Sequence, residues 1–314
     1  MRFEALIGAS AIVSALGPVL ALIALGFCLH QFRFLPPSAW AGIEKLTYFI
    51  LFPALLVHSL AQQDLDGVPW VDMLIILLVC LCSAAALLVT WYRVRGWVNG
   101  ATFTSIFQGG VRFNTYIALA VSQAFYGAEG LALGAVVAGF FSLIANVLSV
   151  AAFAVWGRLR GSGWLSVLRA VALNPLIIAC TLGWTLSLSG LGLPGVTADV
   201  IEIVGRASLP LGLLAVGAAL RLSSVGGHLG PIGLSSLVQF LWRPALGAAL
   251  SSMLGLAPLA AAVVLLALMA PTAPSGYILA RQLGGDTETM ASIITAQTLM
   301  AFAVMPVWVA LLLN

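Results

Sequence analysis

Gln108-Gly-Gly-Val-Arg-Phe-Asn-Thr-Tyr116 interrupts an apolar run over residues 101–125, and Met269-Ala-Pro-Thr-Ala-Pro-Ser-Gly276 interrupts another over residues 258–281. A shift of 157 residues lays the first on the second, with Arg112 on Met269 and Asn114 on Pro271. In the second stretch Pro271 and Pro274 each remove a backbone donor and clash with the preceding turn, so the helix breaks there. In the first, Gly109-Gly110 weakens the helix without a proline. The two stretches are predicted to be matching helix breaks.

The same shift runs through the whole chain. Pro18, Gly26, Pro37, Pro53 and Gly127 recur as Pro175, Gly183, Pro194, Pro210 and Gly284, and Glu129 falls on Asp286, with no gap needed. Proline and glycine mark bends and ends, so what repeats is a pattern of bends. The expected units are residues 1–157 and 158–314, two related halves.

Hydrophobic residues make up 62% of the chain and charged residues 7%, against roughly 25% charged in a soluble domain. That leaves no polar shell for a globular core and implies an integral membrane protein. Apolar runs of crossing length lie at about 8–31, 41–61, 70–92, 101–125, 130–156, 169–188, 198–220, 229–252, 258–281 and 288–313. These are ten predicted transmembrane helices, five per half. The first run exceeds a signal-peptide core and holds no convincing Ala-x-Ala cleavage site, so it reads as a retained helix. No basic run with interleaved aromatics points to nucleic acid. Cys28, Cys80, Cys82 and Cys180 fall in apolar stretches without zinc spacing and read as packing residues.

Arginines occupy alternate connections: Arg33; Arg93 and Arg95; Arg158, Arg160 and Arg169; Arg221; Arg281. The other connections carry Asp64, Asp66, Glu129 and Asp199 without Lys or Arg. The positive-inside rule makes the arginine side cytoplasmic and puts both termini outside, with Arg2 a mild conflict beside Glu4. Five spans is an odd number, so the second half is predicted to run through the membrane inverted.

Arg112 is the sharpest polar anomaly, since an arginine at the bilayer centre costs about 2.5–3.5 kcal/mol on insertion scales. One reading is a latch on backbone carbonyls; the other is an anion site, for which a guanidinium suits a carboxylate. Across from it Thr272 and Ser275 offer hydroxyls beside the broken backbone. Paired interrupted helices in an inverted repeat point to a midplane substrate site, and half-helix N-termini favour an anion. Ser142, Asn146 and Gln297 can supply oxygens to a substrate or a cation, or bond between helices. Arg243 is either a second cation near the site or a packed latch. Glu202 and Arg206, at i and i+4, pair with each other, and His58 reads as interfacial.

These residues resemble the auxin efflux carrier family, including its bacterial malonate or malate permease-like branch, itself related to the bile-acid sodium symporter superfamily. The markers are Leu46-Thr-Tyr-Phe-Ile-Leu-Phe-Pro-Ala-Leu-Leu56, Arg112-Phe-Asn-Thr-Tyr116, Asn174-Pro175, the run Leu209–Leu220 and the break at Pro271–Ser275. The resemblance implies an all-α inverted five-plus-five repeat in which broken helices 4 and 9 cross at the site. It also implies scaffold helices 1, 2, 6 and 7, transport helices 3–5 and 8–10, elevator-type alternating access and a homodimer through the scaffold. Asn114, Thr115 and Tyr116 match the plant Asn-Pro-Asn-Thr-Tyr motif, whereas Arg112 and Phe113 stand where Asn-Pro would be. That departure favours a smaller or more highly charged anion than the plant substrate.

The expected protein is a secondary transporter of the cytoplasmic (inner) membrane, surrounded by lipid, that carries a small organic anion. Arg112 would supply charge and Asn114, Thr115 and Tyr116 polar contacts, with Pro271, Thr272, Pro274 and Ser275 forming the opposing wall. The alternative is a sodium-coupled symporter of a larger amphipathic acid. A channel does not need two matched breaks, and the chain has no HExxH, paired intramembrane aspartates or Gly-x-Ser-Gly turn of an enzyme. No cofactor is expected; coupling to Na+ or H+ stays open.

Overall fold

The computed structural model describes residues 2–62, 67–157 and 173–312, with side chains from residue 14 to 311 of these. Asp64, Asp66, Arg158, Arg160 and Arg169, and the side chains of Arg2 and Glu4, lie outside the described residues. Among the described residues every regular element is helical. Six helical stretches among the described residues are long and apolar enough to cross a membrane: Ser14–Gln31, Pro37–Ala61, Trp70–Arg95, Gly100–Trp156, Gly195–Ala218 and Thr287–Leu311. Pro175–Leu188 and Pro258–Met269 are shorter apolar helices. The protein is a multi-pass membrane protein.

Gly100–Trp156 is 57 residues long, far beyond the roughly 20 needed for one crossing. It is divided twice. The Gly100–Val111 helix ends at Arg112, whose backbone is extended (φ −81°, ψ 169°), and helix resumes at Thr115. Gly127 then turns the chain with φ 60° and ψ −144°, a conformation open to glycine and costly for other residues. Its counterpart Gly284 ends the Ser275–Leu283 helix at φ 74°. The second break lies between Pro258–Met269 and Ser275–Leu283, beginning at extended Ala270 (φ −63°, ψ 134°).

Two more prolines leave a local signature. A π-helical turn at Thr47–Leu51 precedes Pro53, and another at Val238–Trp242 precedes Pro244. Proline cannot donate to the carbonyl four residues earlier, and a π-turn absorbs the mismatch. For Pro244 that carbonyl is Phe240 O, which accepts from Trp308 Nε1 at 3.0 Å.

Packing separates into two groups that meet along Thr115–Trp156. In one, Arg2–Gln31 packs on Ser208–Ala218, and Phe52–Ala61 packs on Pro175–Leu188 and Gly195–Arg206. In the other, Gly100–Val111 packs on Leu229–Leu237 and Thr287–Leu312, and Pro258–Met269 packs on Thr115–Trp156. Two close approaches in the first group are exchanged by the 157-residue shift. A Cβ on Gly26 would lie 2.1 Å from Leu214 O, and a Cβ on Gly183 would lie 3.3 Å from Val57 Cα and 2.8 Å from Leu60 Cβ. Gly183 is the counterpart of Gly26, and Val57 that of Leu214.

Candidate functional site

The two breaks meet, and every polar group exposed by breaking the helices has to be satisfied inside the protein. The Gly100–Val111 helix leaves carbonyls free at its C-terminal end. Gly109 O accepts from Thr272 Oγ1 at 3.1 Å and from Gln297 Nε2 at 2.9 Å. Gly110 O and Arg112 O both accept from Arg243 Nη1, at 3.3 and 3.1 Å. Arg243 is fully buried, also donates to Gln239 Oε1, and lies over the Phe141 ring at 5.0 Å. On the other broken helix, Gln239 Nε2 donates to Ala270 O, and Thr272 N donates to Gln297 Oε1 at 3.1 Å. The negative ends of both first half-helices are thereby closed inside the core, one of them by a cation, the favourable partner for a helix C-terminus.

The positive ends do the opposite. Thr115 and Tyr116 begin one helix and Ser275 another, and all three line a cavity of about 740 Å³. Asn174, Pro175 and Leu176, at the start of Pro175–Leu188, line it too. Asn114 caps the first of these helices, its Oδ1 accepting from Ile117 N at 3.2 Å, and Asn174 caps the third, accepting from Leu176 N at 2.9 Å. Three helix N-termini therefore face one space, each carrying partial positive charge.

Arg112 adds a full charge. Its Nη1 donates to Asn146 Oδ1 at 2.9 Å and its Nη2 to Ser275 Oγ at 3.2 Å. Its Nε has no partner among the described residues, and neither does Asn114 Nδ2. Both residues line the cavity, with Glu44, Lys45 and Tyr48 on the facing helix. Phe113 between them is buried and stacks on Phe141 at 3.8 Å, which pins the non-helical backbone.

The sequence-predicted residues thus divide. Arg112, Asn114, Thr115, Tyr116, Asn146, Pro274 and Ser275 line the cavity. Thr272, Arg243 and Gln297 are fully buried in the bonds that join the breaks, with buried Pro271 beside them, and Ser142 is also buried away from the cavity. Asn174, Tyr48, Glu44 and Lys45 complete the wall without having been singled out as site residues. Asn174-Pro175 has the form of a helix start, a cap residue followed by Pro at the first position. Gln108 and Gln239 were legible as polar residues in apolar spans; Gln108 Nε2 reaches Gly276 O at 3.3 Å.

Outside the spans, Asp286 joins the two half-helix systems. It accepts from Thr289 N at 3.0 Å, Thr289 Oγ1 at 2.7 Å and Thr102 Oγ1 at 2.8 Å. Burial pushes its carboxyl up, but these hydrogen bonds and nearby His228 outweigh it and hold the group below the usual carboxylate range.

Fold and site together define a multi-pass helical membrane protein with a positively charged cavity at two helix breaks. A family model described as "Membrane transport protein" matches residues 164–309, just under half of the chain. The match contains the second break and indicates a membrane transporter. A comparison with curated proteins gives no match.

Proposed function

We propose that this protein is a secondary active transporter that carries a small organic anion, a carboxylate such as malonate or malate, through an inverted repeat of ten transmembrane helices. The observation that carries this reading is the convergence of the Arg112 guanidinium and three helix N-termini on one cavity. A carboxylate entering there can exchange with Asn146 and Ser275 for the Nη bonds of Arg112, whose Nε, like Asn114 Nδ2, is buried without a partner among the described residues.

The exchanged packing of Gly26 with Leu214 and Gly183 with Val57 supports the inverted repeat. The two packing groups support a scaffold of helices 1, 2, 6 and 7 and a transport part of helices 3–5 and 8–10, moving past each other by elevator-type alternating access. A homodimer through the scaffold, and an inner-membrane location with the arginine-bearing connections in the cytoplasm, complete the proposal. A sodium-coupled symporter is less well supported: Gln297, whose oxygen would bind the cation, is fully buried in the bonds that join the breaks and does not line the cavity.

The test is a thermal-shift screen of the purified full-length protein against mono-, di- and tricarboxylates, with and without sodium and across pH. A small carboxylate should raise the melting temperature without sodium. Stabilisation by sodium with larger amphipathic acids, and none by small carboxylates, would favour the alternative.

A further inference from the structure

Phe52, Tyr116 and Val216 line the Arg112 cavity, with the Phe52 and Tyr116 rings in edge contact at 5.0 Å. One turn further along the same helices, Leu55 and Leu213 line a second cavity, also of about 740 Å³. The walls that the first packing group gives the two cavities are related by the repeat, whereas those on Thr115–Trp156 and the helix breaks are not. Pro18, Val19, His58, Glu202, Arg206 and Leu209 line the second, and the residues 157 positions away, Pro175, Leu176, Ala215, Lys45, Phe49 and Phe52, line the first. What differs is the chemistry of equivalent positions, since the second cavity places a histidine and an arginine where the first has alanine and phenylalanine.

A carboxylate already sits between those two groups. Glu202 Oε1 accepts from Arg206 Nη2, and Glu202 Oε2 lies 3.9 Å from His58 Nε2. Each oxygen of one carboxylate is thus turned to a different cation-capable side chain, on helices of the same packing group. Gln62 and Gln123 also line this cavity. With side-chain exposures of 75% for Arg206 and 35% for Glu202, the pair is held weakly and can be exchanged.

We propose that this cavity is a second carboxylate-binding site, in which Arg206 and His58 recognise the anion and Glu202 is a built-in competitor that the anion displaces. It rests on the proposed transport function only in taking that anion to be the cargo; binding there does not need Arg112. The site would collect a carboxylate on the far side of the Phe52–Tyr116 contact, at a place on the scaffold group.

A helix-stabilising ion pair and an anion site with an internal competitor differ in sign. If Glu202 and Arg206 only brace their helix, removing either has the same effect. If Glu202 competes, removing it strengthens anion binding and removing Arg206 weakens it. The test is calorimetric titration of malonate into full-length protein carrying Arg112→Gln, so that binding at the first cavity is suppressed.

Weak malonate binding should persist in that background. Adding Glu202→Gln should tighten it about threefold, the equivalent of an exposed ion pair. Arg206→Gln should abolish it, and Arg206→Lys, which keeps the charge, should restore part of it and report that the fold is intact. Absence of malonate binding in both Arg112→Gln and Arg112→Gln/Glu202→Gln overturns the proposal, as does a change of the same sign for Glu202→Gln and Arg206→Gln. Failure of the first cavity's assignment reads out separately, as transport that survives Arg112→Gln.

Discussion

Gly109 O accepts two hydrogen bonds from the opposite half of the chain, one from Thr272 and one from Gln297. Thr272→Val keeps the side-chain shape and removes the first, leaving the carbonyl held by the second. The expected cost is about 0.6–1 kcal/mol, the usual net value of an interhelical hydrogen bond in a membrane protein or a core. Gln297→Leu removes the second bond and also strips the acceptor from buried Thr272 N, so it should cost about 2–4 kcal/mol. In the double variant Gly109 O loses both donors at the free end of its helix, where water cannot replace them. An orphaned buried carbonyl adds about 1–3 kcal/mol that neither single variant shows. The coupling follows from one atom being shared. It is measured as a double-mutant cycle on unfolding free energies, from SDS titration of the protein in mixed micelles. Additivity within about 0.5 kcal/mol, the range for independent sites, would refute the shared-carbonyl latch.

Other substitutions probe the rest of the framework. Gly26→Ala should destabilise by about 1–3 kcal/mol or more, because its Cβ would meet the Leu214 carbonyl and backbone cannot step aside; Gly42→Ala, with nothing within 4 Å, should be neutral or stabilising in the same thermal melts. The Asp286 carboxyl is held below its ordinary value, so its contribution to stability is present above the unfolded pKa of about 3.9 and is lost as pH falls through the lower folded value. Melting temperature should therefore fall below about pH 4 in the parent, and less in Asp286→Asn, with equal falls counting against this role. Trp308→Phe should cost about 1 kcal/mol by stripping the donor from the carbonyl that Pro244 leaves free, and no change would count against that bond.

The bends of this fold were legible because proline and glycine act locally. Pro271 and Pro274 stop a helix wherever it lies, and Gly127 and Gly284 take left-handed backbone at matched positions. The first break was legible only in part. Gly109-Gly110 weakens the helix, but Phe113 holds the extended stretch by stacking on Phe141, a partner far away in sequence. The expected spans at 101–125 and 130–156 turned out to be joined by the single turning residue Gly127 rather than by a loop.

Within the site, residue type did not reveal direction. Thr272 and Ser275 both carry hydroxyls in one non-helical segment, yet Thr272 enters the core latch and Ser275 meets Arg112. A broken stretch has no period from which to read which side faces the cavity. Arg243 left two readings open, and its bonds to Gly110 O and Arg112 O fit the packed latch. The convergence of Asn174's helix with those of Thr115 and Ser275 is tertiary and had no signal in any one segment.

Arg112 is the residue on which the account turns. In proteoliposomes, counterflow of labelled malonate should be saturable in the parent, absent in Arg112→Gln and partly retained in Arg112→Lys, with all three proteins equally folded by thermal melting. Counterflow by Arg112→Gln at the parent rate and half-saturation would contradict it.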